Sequence, residues 1–245
     1  MIRLLALVLL ALTVTSCAFR QARHNPTRVM VVATVHSAHR DHPTYSYEHL
    51  FATIRAFSPD VVAVEMRRED LGRGPDYLAR NYPYEMRALA EAYGPNAVGF
   101  DWLGAELEGR IIPENWWQEH SWLKRLEREK AADANFSAPE VSALQQQQRE
   151  LIRSATAASL NDGRYDAVTR AYYRAFARSV AGTPYRRLAD FYRQRDERIA
   201  DNLTSVIRSH PGQRVAIVLG ADHRAYVVDE LRRRFGSRIA FVPVR

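Results

Sequence analysis

The sequence predicts an α/β fold in which a mostly parallel sheet of about five strands is flanked by helices and carries a large helical insertion. Two observations lead to this prediction. Short apolar runs rich in valine alternate along the chain with segments in which apolar residues recur at helical spacing. In the middle of the chain the strand-like runs stop while the helical spacing continues. Alternation of strands and helices is typical of right-handed βαβ units and therefore of a parallel sheet.

The first predicted strand is residues 28–35 (RVMVVATV). Nearly every position after its first arginine is apolar, as expected for a strand that is buried on both faces of a sheet. The other predicted strands are shorter runs of the same kind, residues 61–64, 97–100, 214–219 and 238–242.

The segments between these strands predict helices. In residues 45–57, the apolar side chains of Leu50, Ile54 and Phe57 recur at the spacing of one helix face. Helical spacing also marks residues 75–93 and 223–235.

A helical insertion is predicted for residues 113–208. No strand-like run occurs there, and apolar residues such as Leu151, Phe176 and Leu188 recur at helical intervals. Because strand-like runs lie on both sides of it, the insertion interrupts a single α/β domain of residues 28–245.

The first seventeen residues are typical of a bacterial lipoprotein signal peptide. Arg3 precedes an apolar run, residues 4–14, and small residues lead to Cys17. The run is too short to cross a bilayer, which needs about 20 apolar residues. Residues 14–17 (VTSC) resemble a lipobox, the site at which bacteria attach diacylglycerol to the cysteine. We therefore expect residues 1–17 to be a lipoprotein signal peptide and residues 18–27 to be a tether.

Cys17 is the only cysteine, so the chain cannot form an intramolecular disulfide, and lipidation explains this residue better. Residue 18 is alanine and not the aspartate that commonly retains lipoproteins at the inner membrane. The predicted location is therefore the bacterial cell envelope, with a lipid anchor in the outer membrane and the protein facing the periplasm.

The chain is basic, with a formal net charge of +7. Its arginines are scattered along the sequence and are not interleaved with aromatic residues, which argues against nucleic acid as a partner. For an exported protein, anionic lipid headgroups are the expected partner of the positive charge.

Four ionisable residues follow predicted strands: His36, Glu65, Asp101 and His223, the last within residues 220–223 (GADH). In open α/β sheets, ligands bind outside the carboxyl ends of the strands. Since the carboxyl ends of parallel strands lie at one edge of the sheet, we expect these side chains to converge there.

His36, Glu65 and His223 form a candidate metal site. Two imidazoles and one carboxylate with an open coordination position are a recurrent arrangement around divalent metals. The alternative is that the same residues act on water directly as acid and base.

These motifs resemble the TraB/Tiki superfamily. The resemblance rests on residues 33–36 (ATVH) and 220–223 as paired G-x-x-H motifs, with Glu65 at a strand end and with Arg195 and Asn202 on an intervening helix. The superfamily includes ChaN-like haem-binding lipoproteins and erythromycin esterase-like hydrolases. The first motif departs from the pattern, because Ala33 stands where the family prefers glycine.

The resemblance implies a metal-dependent hydrolase of the peptidase or esterase class, in which metal-activated water attacks an amide or ester carbonyl. Manganese or cobalt would be held by His36, Glu65 and His223, and Glu65 or Asp101 would act as general base. The resemblance does not fix the substrate, which could be a peptide or a small molecule.

Arg195 and Asn202 lie seven residues apart, so they project from the same face of a helix. The functional interpretation is that Arg195 balances the carboxylates or binds an anionic substrate group, while Asn202 orients a ligand. The alternative is an exposed arginine and an asparagine that packs between helices.

A second functional hypothesis is a haem- or iron-binding lipoprotein of ChaN type without hydrolytic activity. Its candidate ligands are His39 and His42, which follow His36 at intervals of three residues. A polar mobile loop is the alternative interpretation of these histidines. Three tryptophans near the start of the insertion could wall a haem or could dock the insertion onto the sheet: Trp116, Trp117 and Trp122.

Overall fold

A computed structural model describes residues 25–245 of the chain. The predicted signal peptide, Cys17 and most of the predicted tether lie outside the described residues. The end of the tether is corrected by one residue, because Thr27 is already the first residue of a strand.

The sheet has five strands, all parallel, which confirms the predicted α/β class. In chain order the strands are β1 (Thr27–Thr34), β2 (Val61–Val64), β3 (Ala97–Gly99), β4 (Arg214–Gly220) and β5 (Ile239–Phe241). Their order across the sheet is β3-β2-β4-β1-β5. The two longest strands, β1 and β4, are therefore neighbours in the middle, and β2 flanks β4 on its other side.

Nine helices are described: α1 (Tyr47–Phe57), α2 (Pro75–Asn81), α3 (Tyr84–Tyr93), α4 (Trp122–Ala132), α5 (Pro139–Arg153), α6 (Ala157–Leu160), α7 (Arg164–Val180), α8 (Arg186–Ser209) and α9 (Ala221–Phe235). Within residues 25–245, none of these helices has the length and apolar content needed to cross a membrane.

The single helix predicted for residues 75–93 is two helices, α2 and α3, that meet at Tyr82 and Pro83. Proline disfavours the helical conformation in the residue before it, and Tyr82 is accordingly extended. The break turns α3 so that its first turn approaches the carboxyl edge of the sheet.

Alternate side chains of the central strands pack in two different cores. On one face, Met30 and Val32 pack with residues of α1 and α3. On the other face, Val29 and Val31 pack with residues of α8 and α9. Because both faces are covered, the strands are apolar throughout, which is why they were recognisable as short continuous runs.

The insertion is helical, as predicted, and has a core of its own. Phe176 of α7 packs with Leu188 and Phe191 of α8 in a third apolar cluster. Farther along α8, Ile199 and Leu203 belong to the core beneath the sheet. One continuous helix of 24 residues thus joins the insertion to the α/β domain.

Side chains from the segment before α1, from the insertion and from helix α9 take over the hydrogen bonds of β1 beyond the short strand β5. The Ala33 N–H donates to Asn161 Oδ1 at 2.8 Å, and Tyr45 Oη donates to the Ala33 carbonyl at 2.7 Å. Arg224 Nε donates to the Val31 carbonyl at 3.3 Å. The outer edge of β1 is thereby closed without a further strand.

We predict that Asn161→Ala lowers the free energy of unfolding by roughly 1–3 kcal/mol, because it leaves the buried N–H of Ala33 without an acceptor. Chemical denaturation measures this loss. Asn135→Ala, at an exposed position, is the matched control and should change stability by less than about 0.5 kcal/mol. Equal stability of the two variants would show that Asn161 does not hold the edge of β1.

Candidate active site

The predicted side chains meet at the carboxyl edge of the sheet because β4 lies between β1 and β2. A Cβ atom built on Gly220, the last residue of β4, would lie 2.7 Å from His36 Nε2 and 3.4 Å from Glu65 Oε2. His36 and Glu65 therefore face each other across Gly220. Any larger residue at this position would push His36 out of place.

Glu65 is buried and accepts hydrogen bonds on both of its oxygens. Oε2 accepts from the Gly220 N–H at 2.5 Å, and Oε1 accepts from Arg195 Nη2 at 2.9 Å. His223 Nε2 lies 3.4 Å from Oε1. Burial acts to raise the pKa of Glu65, but the positive charges of His223, Arg195 and His36 outweigh it, so the pKa is lowered. Glu65 is a fixed negative charge at the centre of the site.

His223 lies in the first turn of α9 between two carboxylates. Its Nδ1 is 2.6 Å from Asp196 Oδ1, and its Nε2 faces Glu65. Burial acts to lower the pKa of His223, but the charge of Glu65 and the hydrogen bond with Asp196 outweigh it and raise the pKa to about 9. His223 is therefore an imidazolium at neutral pH, which donates a hydrogen bond from Nδ1 to Asp196 and forms an ion pair with Glu65 through Nε2.

His36 is the most exposed member of the site, with 40% of its side-chain surface accessible. Its backbone has a φ of 50°, in the left-handed region that a non-glycine residue adopts at some cost in energy. Nδ1 lies 2.8 Å from Oε1 of the fully buried Glu85, which also accepts from Thr34 Oγ1 at 3.0 Å. This leaves Nε2 directed towards Gly220, Glu65 and solvent.

The pKa of His36 is raised. Burial acts to lower it, but the hydrogen bond with Glu85 and the charges of Glu65 and Glu85 outweigh that effect. His36 and His223 thus share one design, in which a carboxylate holds Nδ1 and Nε2 is directed towards Glu65.

Arg195 is the counter-charge of two buried carboxylates. Its Nε and Nη2 donate to the two oxygens of Asp101 at 3.0 and 3.1 Å, and Nη2 also donates to Glu65. Burial raises the pKa of Asp101, and the charge of Arg195 opposes this. The charge-balancing role expected for Arg195 from the sequence agrees with this geometry.

Asn202 does not join the ionisable cluster. Asn202 is exposed and lies seven residues after Arg195, which is about 10 Å along the axis of α8. Its Nδ2 donates to the Phe100 carbonyl at 2.8 Å, directly before Asp101 in the chain. Asn202 also lines a cleft of about 580 Å³ that runs beside β3 and includes Asp101. As placed, it supports the backbone that carries Asp101.

His39 and His42 are held inside the fold and do not form a mobile loop. The chain turns as a 3₁₀ helix from His36 to Arg40, and His39 is fully buried. His39 Nε2 accepts from the Val35 N–H, and its Nδ1 donates to the Tyr45 carbonyl.

His42 Nε2 donates to the Ile152 carbonyl at 2.7 Å, and its Nδ1 accepts from the Tyr45 N–H at 3.0 Å. Since every ring nitrogen of His39 and His42 has a partner, neither residue offers a free ligand to haem. The loop interpretation is wrong, and both histidines tie the turn after β1 to neighbouring segments.

The tryptophans divide between two parts of the structure. Trp116 and Trp117 form a π-helical turn with the residues that follow and pack against the core of the sheet. Trp122 packs edge-on to Phe191, which stacks on Trp102 with ring centroids 5.9 Å apart. These rings dock the insertion, and Trp102 places an aromatic wall directly beside Asp101.

Ala33, which departs from the G-x-x-H pattern, does not disturb the site. In the register of β1 and β4, Gly220 lies opposite Thr34, and Ala33 lies opposite Leu219. The methyl group of Ala33 is buried in the core. Of the two motif positions, only Gly220 on β4 makes a close approach that requires glycine.

Sequence reasoning missed the two carboxylates that orient the histidines, Glu85 and Asp196. Asp196 directly follows Arg195 on the same helix, so its proximity to the site could have been inferred from the sequence. Glu85 lies in the first turn of α3, where an acidic residue is ordinarily explained by the helix dipole. Only the tertiary structure brings it to His36.

The residue types of the site fit a divalent metal, because metal-bound histidines commonly donate their other ring nitrogen to a carboxylate. Within residues 25–245, however, no three His, Cys, Asp or Glu side chains are grouped so that they could hold an ion. Glu65 is instead engaged by Arg195, Gly220 and His223, and a metal would have to replace some of these contacts. The metal site stays a prediction.

Comparisons of the chain with protein-family models, curated proteins and solved structures find no significant match. The resemblance to the TraB/Tiki superfamily therefore stays a prediction, and the functional argument rests on the site itself.

We predict that the charge of His223 makes stability depend on pH. The pKa of His223 is about 9 in the folded protein and near 6.5 when unfolded, so its stabilisation is complete below pH 6.5 and is lost as the pH rises through 9. The free energy of unfolding of the wild type should fall by roughly 1–3 kcal/mol more than that of His223→Gln over this interval. Denaturation at both ends of the interval measures the difference.

The exposed His120 provides the control, since His120→Gln should follow the wild-type curve. If His223→Gln follows it as well, His223 is not held as an imidazolium.

Proposed function

We propose that the protein is a hydrolase that cleaves an ester or amide bond, with water activated at His36. The observation that carries this proposal is the pair of carboxylate–histidine contacts, His36–Glu85 and His223–Asp196, which direct two Nε2 atoms towards Glu65. Two histidines beside a fixed carboxylate, one of them held as an imidazolium, can provide a base and an acid at one edge of the sheet.

His36 is the general base of this proposal. Its side chain is partly exposed, and Glu85 holds Nδ1 so that the imidazolium formed on proton uptake is stabilised. The raised pKa makes His36 a stronger base, and the neutral form that accepts the proton is the one present above that pKa. Glu65 and Asp101 are weaker candidates than expected from the sequence, because both are paired with Arg195.

His223 is the general acid, since it carries a proton at neutral pH and can give it to the leaving alkoxide or amine. Arg195, partly exposed at the same edge, adds fixed positive charge where negative charge develops on the carbonyl oxygen. Glu65 keeps Arg195 and His223 in place, because both contact its Oε1.

A divalent metal, manganese or cobalt by resemblance, would be held by His36, Glu65 and a deprotonated His223, would replace the contact of Arg195 with Glu65, and would supply Lewis-acid activation of water. The haem alternative has no observation in its favour, because the nitrogens of His39 and His42 are engaged within the fold.

We predict that the purified protein hydrolyses 4-nitrophenyl acetate and that His36→Gln lowers kcat/KM by about 10²- to 10⁴-fold, the usual contribution of a general base. His120→Gln, which removes an exposed histidine elsewhere, should leave the rate unchanged. Glu85→Gln keeps the shape of the side chain and removes its charge. It should therefore shift the acid limb of the pH–rate profile to lower pH.

Two outcomes decide the proposal and its metal variant separately. Hydrolysis that is absent, or equal in the wild type and His36→Gln, overturns the hydrolase. Activity that is lost on chelation and restored by Mn²⁺ or Co²⁺ supports the metal, whereas activity that is unaffected by chelator supports acid–base chemistry alone.

We also propose that the chain is a lipoprotein of the bacterial cell envelope, anchored through Cys17 in the outer membrane. The support comes from the sequence of residues 1–17, with its apolar run and lipobox-like end.

We predict that metabolic labelling with an acyl probe marks the wild-type protein and not Cys17→Ser, because Cys17 is the only cysteine. The labelled protein should partition into detergent. Ser16→Ala, which keeps a small residue before the cysteine, is the matched control and should still be labelled. Label that persists on Cys17→Ser would end the lipoprotein proposal.

A further inference from the structure

The edge of the sheet opposite the candidate active site carries a concentration of arginines. In a parallel α/β fold, each crossover helix returns the chain to the amino ends of the strands, so helix C-termini collect there. Five exposed arginines occupy this edge: Arg28, Arg55, Arg208, Arg232 and Arg238. We call these five residues the arginine rim.

The positive charge of the arginine rim is not cancelled locally. Within residues 25–245, none of the five rim arginines forms an ion pair, whereas the neighbouring Arg233 and Arg234 are paired with Glu230. Asp60, an acidic residue on the same edge, accepts a hydrogen bond from the Arg214 N–H and pairs with none of the five rim arginines. The rim therefore presents net positive charge to its surroundings.

Two rim arginines are supported by aromatic side chains. The guanidinium of Arg232 lies 5.3 Å from the ring centroid of Phe241, and that of Arg238 lies 5.6 Å from that of Phe235. Such contacts hold the apolar part of the side chain against the protein while the charged end stays at the surface.

The chain enters the domain at this same edge. The Asn25 carbonyl lies 3.5 Å from the Cβ position of Gly212, and the Arg28 N–H donates to the Gln213 carbonyl at 2.9 Å. Eight peptide steps separate Cys17 from Asn25, a reach of at most about 30 Å. The attachment to a lipid on Cys17 would therefore lie on the side of the arginine rim, at the other end of the strands from the active-site edge.

We propose that the arginine rim docks on the anionic headgroups of the membrane and turns the candidate active site away from it. Strand β1, with eight residues, separates the two edges by about 25 Å. Basic residues near an anionic bilayer are attracted to it electrostatically, each by a modest amount that adds to the next. This orientation would give the site a substrate from the aqueous compartment. It rests on the lipid anchor proposed above and does not depend on the hydrolytic chemistry.

The test places a fluorescent label at one edge or the other. The chain offers no cysteine besides Cys17, so Ser237→Cys at the rim and Ser37→Cys beside the active site each introduce one new thiol. The full chain, processed and purified in detergent, is reconstituted with phosphatidylcholine vesicles that contain about 30 mol% phosphatidylglycerol or none. Quenching by a lipid with a nitroxide headgroup reports the distance of the label from the membrane.

We expect the label at residue 237 to be quenched several-fold more strongly than the label at residue 37 in the anionic vesicles. The difference should shrink without phosphatidylglycerol and in 1 M salt, where the Debye length is about 3 Å. It should also shrink when Arg208, Arg232 and Arg238 are all replaced by glutamine.

The matched control replaces three exposed arginines away from the rim by glutamine: Arg40, Arg153 and Arg187. This variant has the same change in net charge and should keep the difference in quenching. Equal quenching at residues 37 and 237, protein that does not associate with the vesicles, or an equal loss in the control variant would each overturn the proposal.

Discussion

The buried charge of Glu65 is the constraint on which the rest of the site depends. A carboxylate at the end of an interior strand is stable only if donors replace the water it has lost, and here they come from three separate elements: Arg195 of α8, the Gly220 N–H and His223 of α9. These contacts connect the end of β2 to the long helix of the insertion and to the start of α9. The network that holds the site together thus also ties the insertion to the sheet.

The parallel topology explains how much of this could be predicted. Valine-rich runs identify interior strands, and strands of one direction bring His36, Glu65, Asp101 and His223 to one edge whatever their distance along the chain. The order of the strands was not predictable from the runs. That order decides the outcome, because β4 lies between β1 and β2 and makes Gly220 the floor between His36 and Glu65.

The partners of these residues were beyond the reach of the sequence for a physical reason. Glu85 approaches His36 only because Pro83 ends one helix and sets the direction of the next, a local effect with a distant consequence. For His39 and His42 the sequence suggested a role as ligands that the structure does not support. Their regular spacing suggested ligands, but whether a ring nitrogen is free depends on backbone groups such as the Ile152 carbonyl, which tertiary packing brings close.

The same topology gives the molecule two chemically opposite edges. At the carboxyl edge, the start of α9 directs its N–H groups and positive dipole towards Glu65, which favours buried acid there. At the amino edge, helices α1, α8 and α9 end, and the negative ends of their dipoles favour cations such as Arg55, Arg208 and Arg232. The proposed acid–base site and the arginine rim are therefore separated by the length of a strand. Because the chain enters at the amino edge, the proposed lipid anchor would lie at the far side of the domain from the candidate active site.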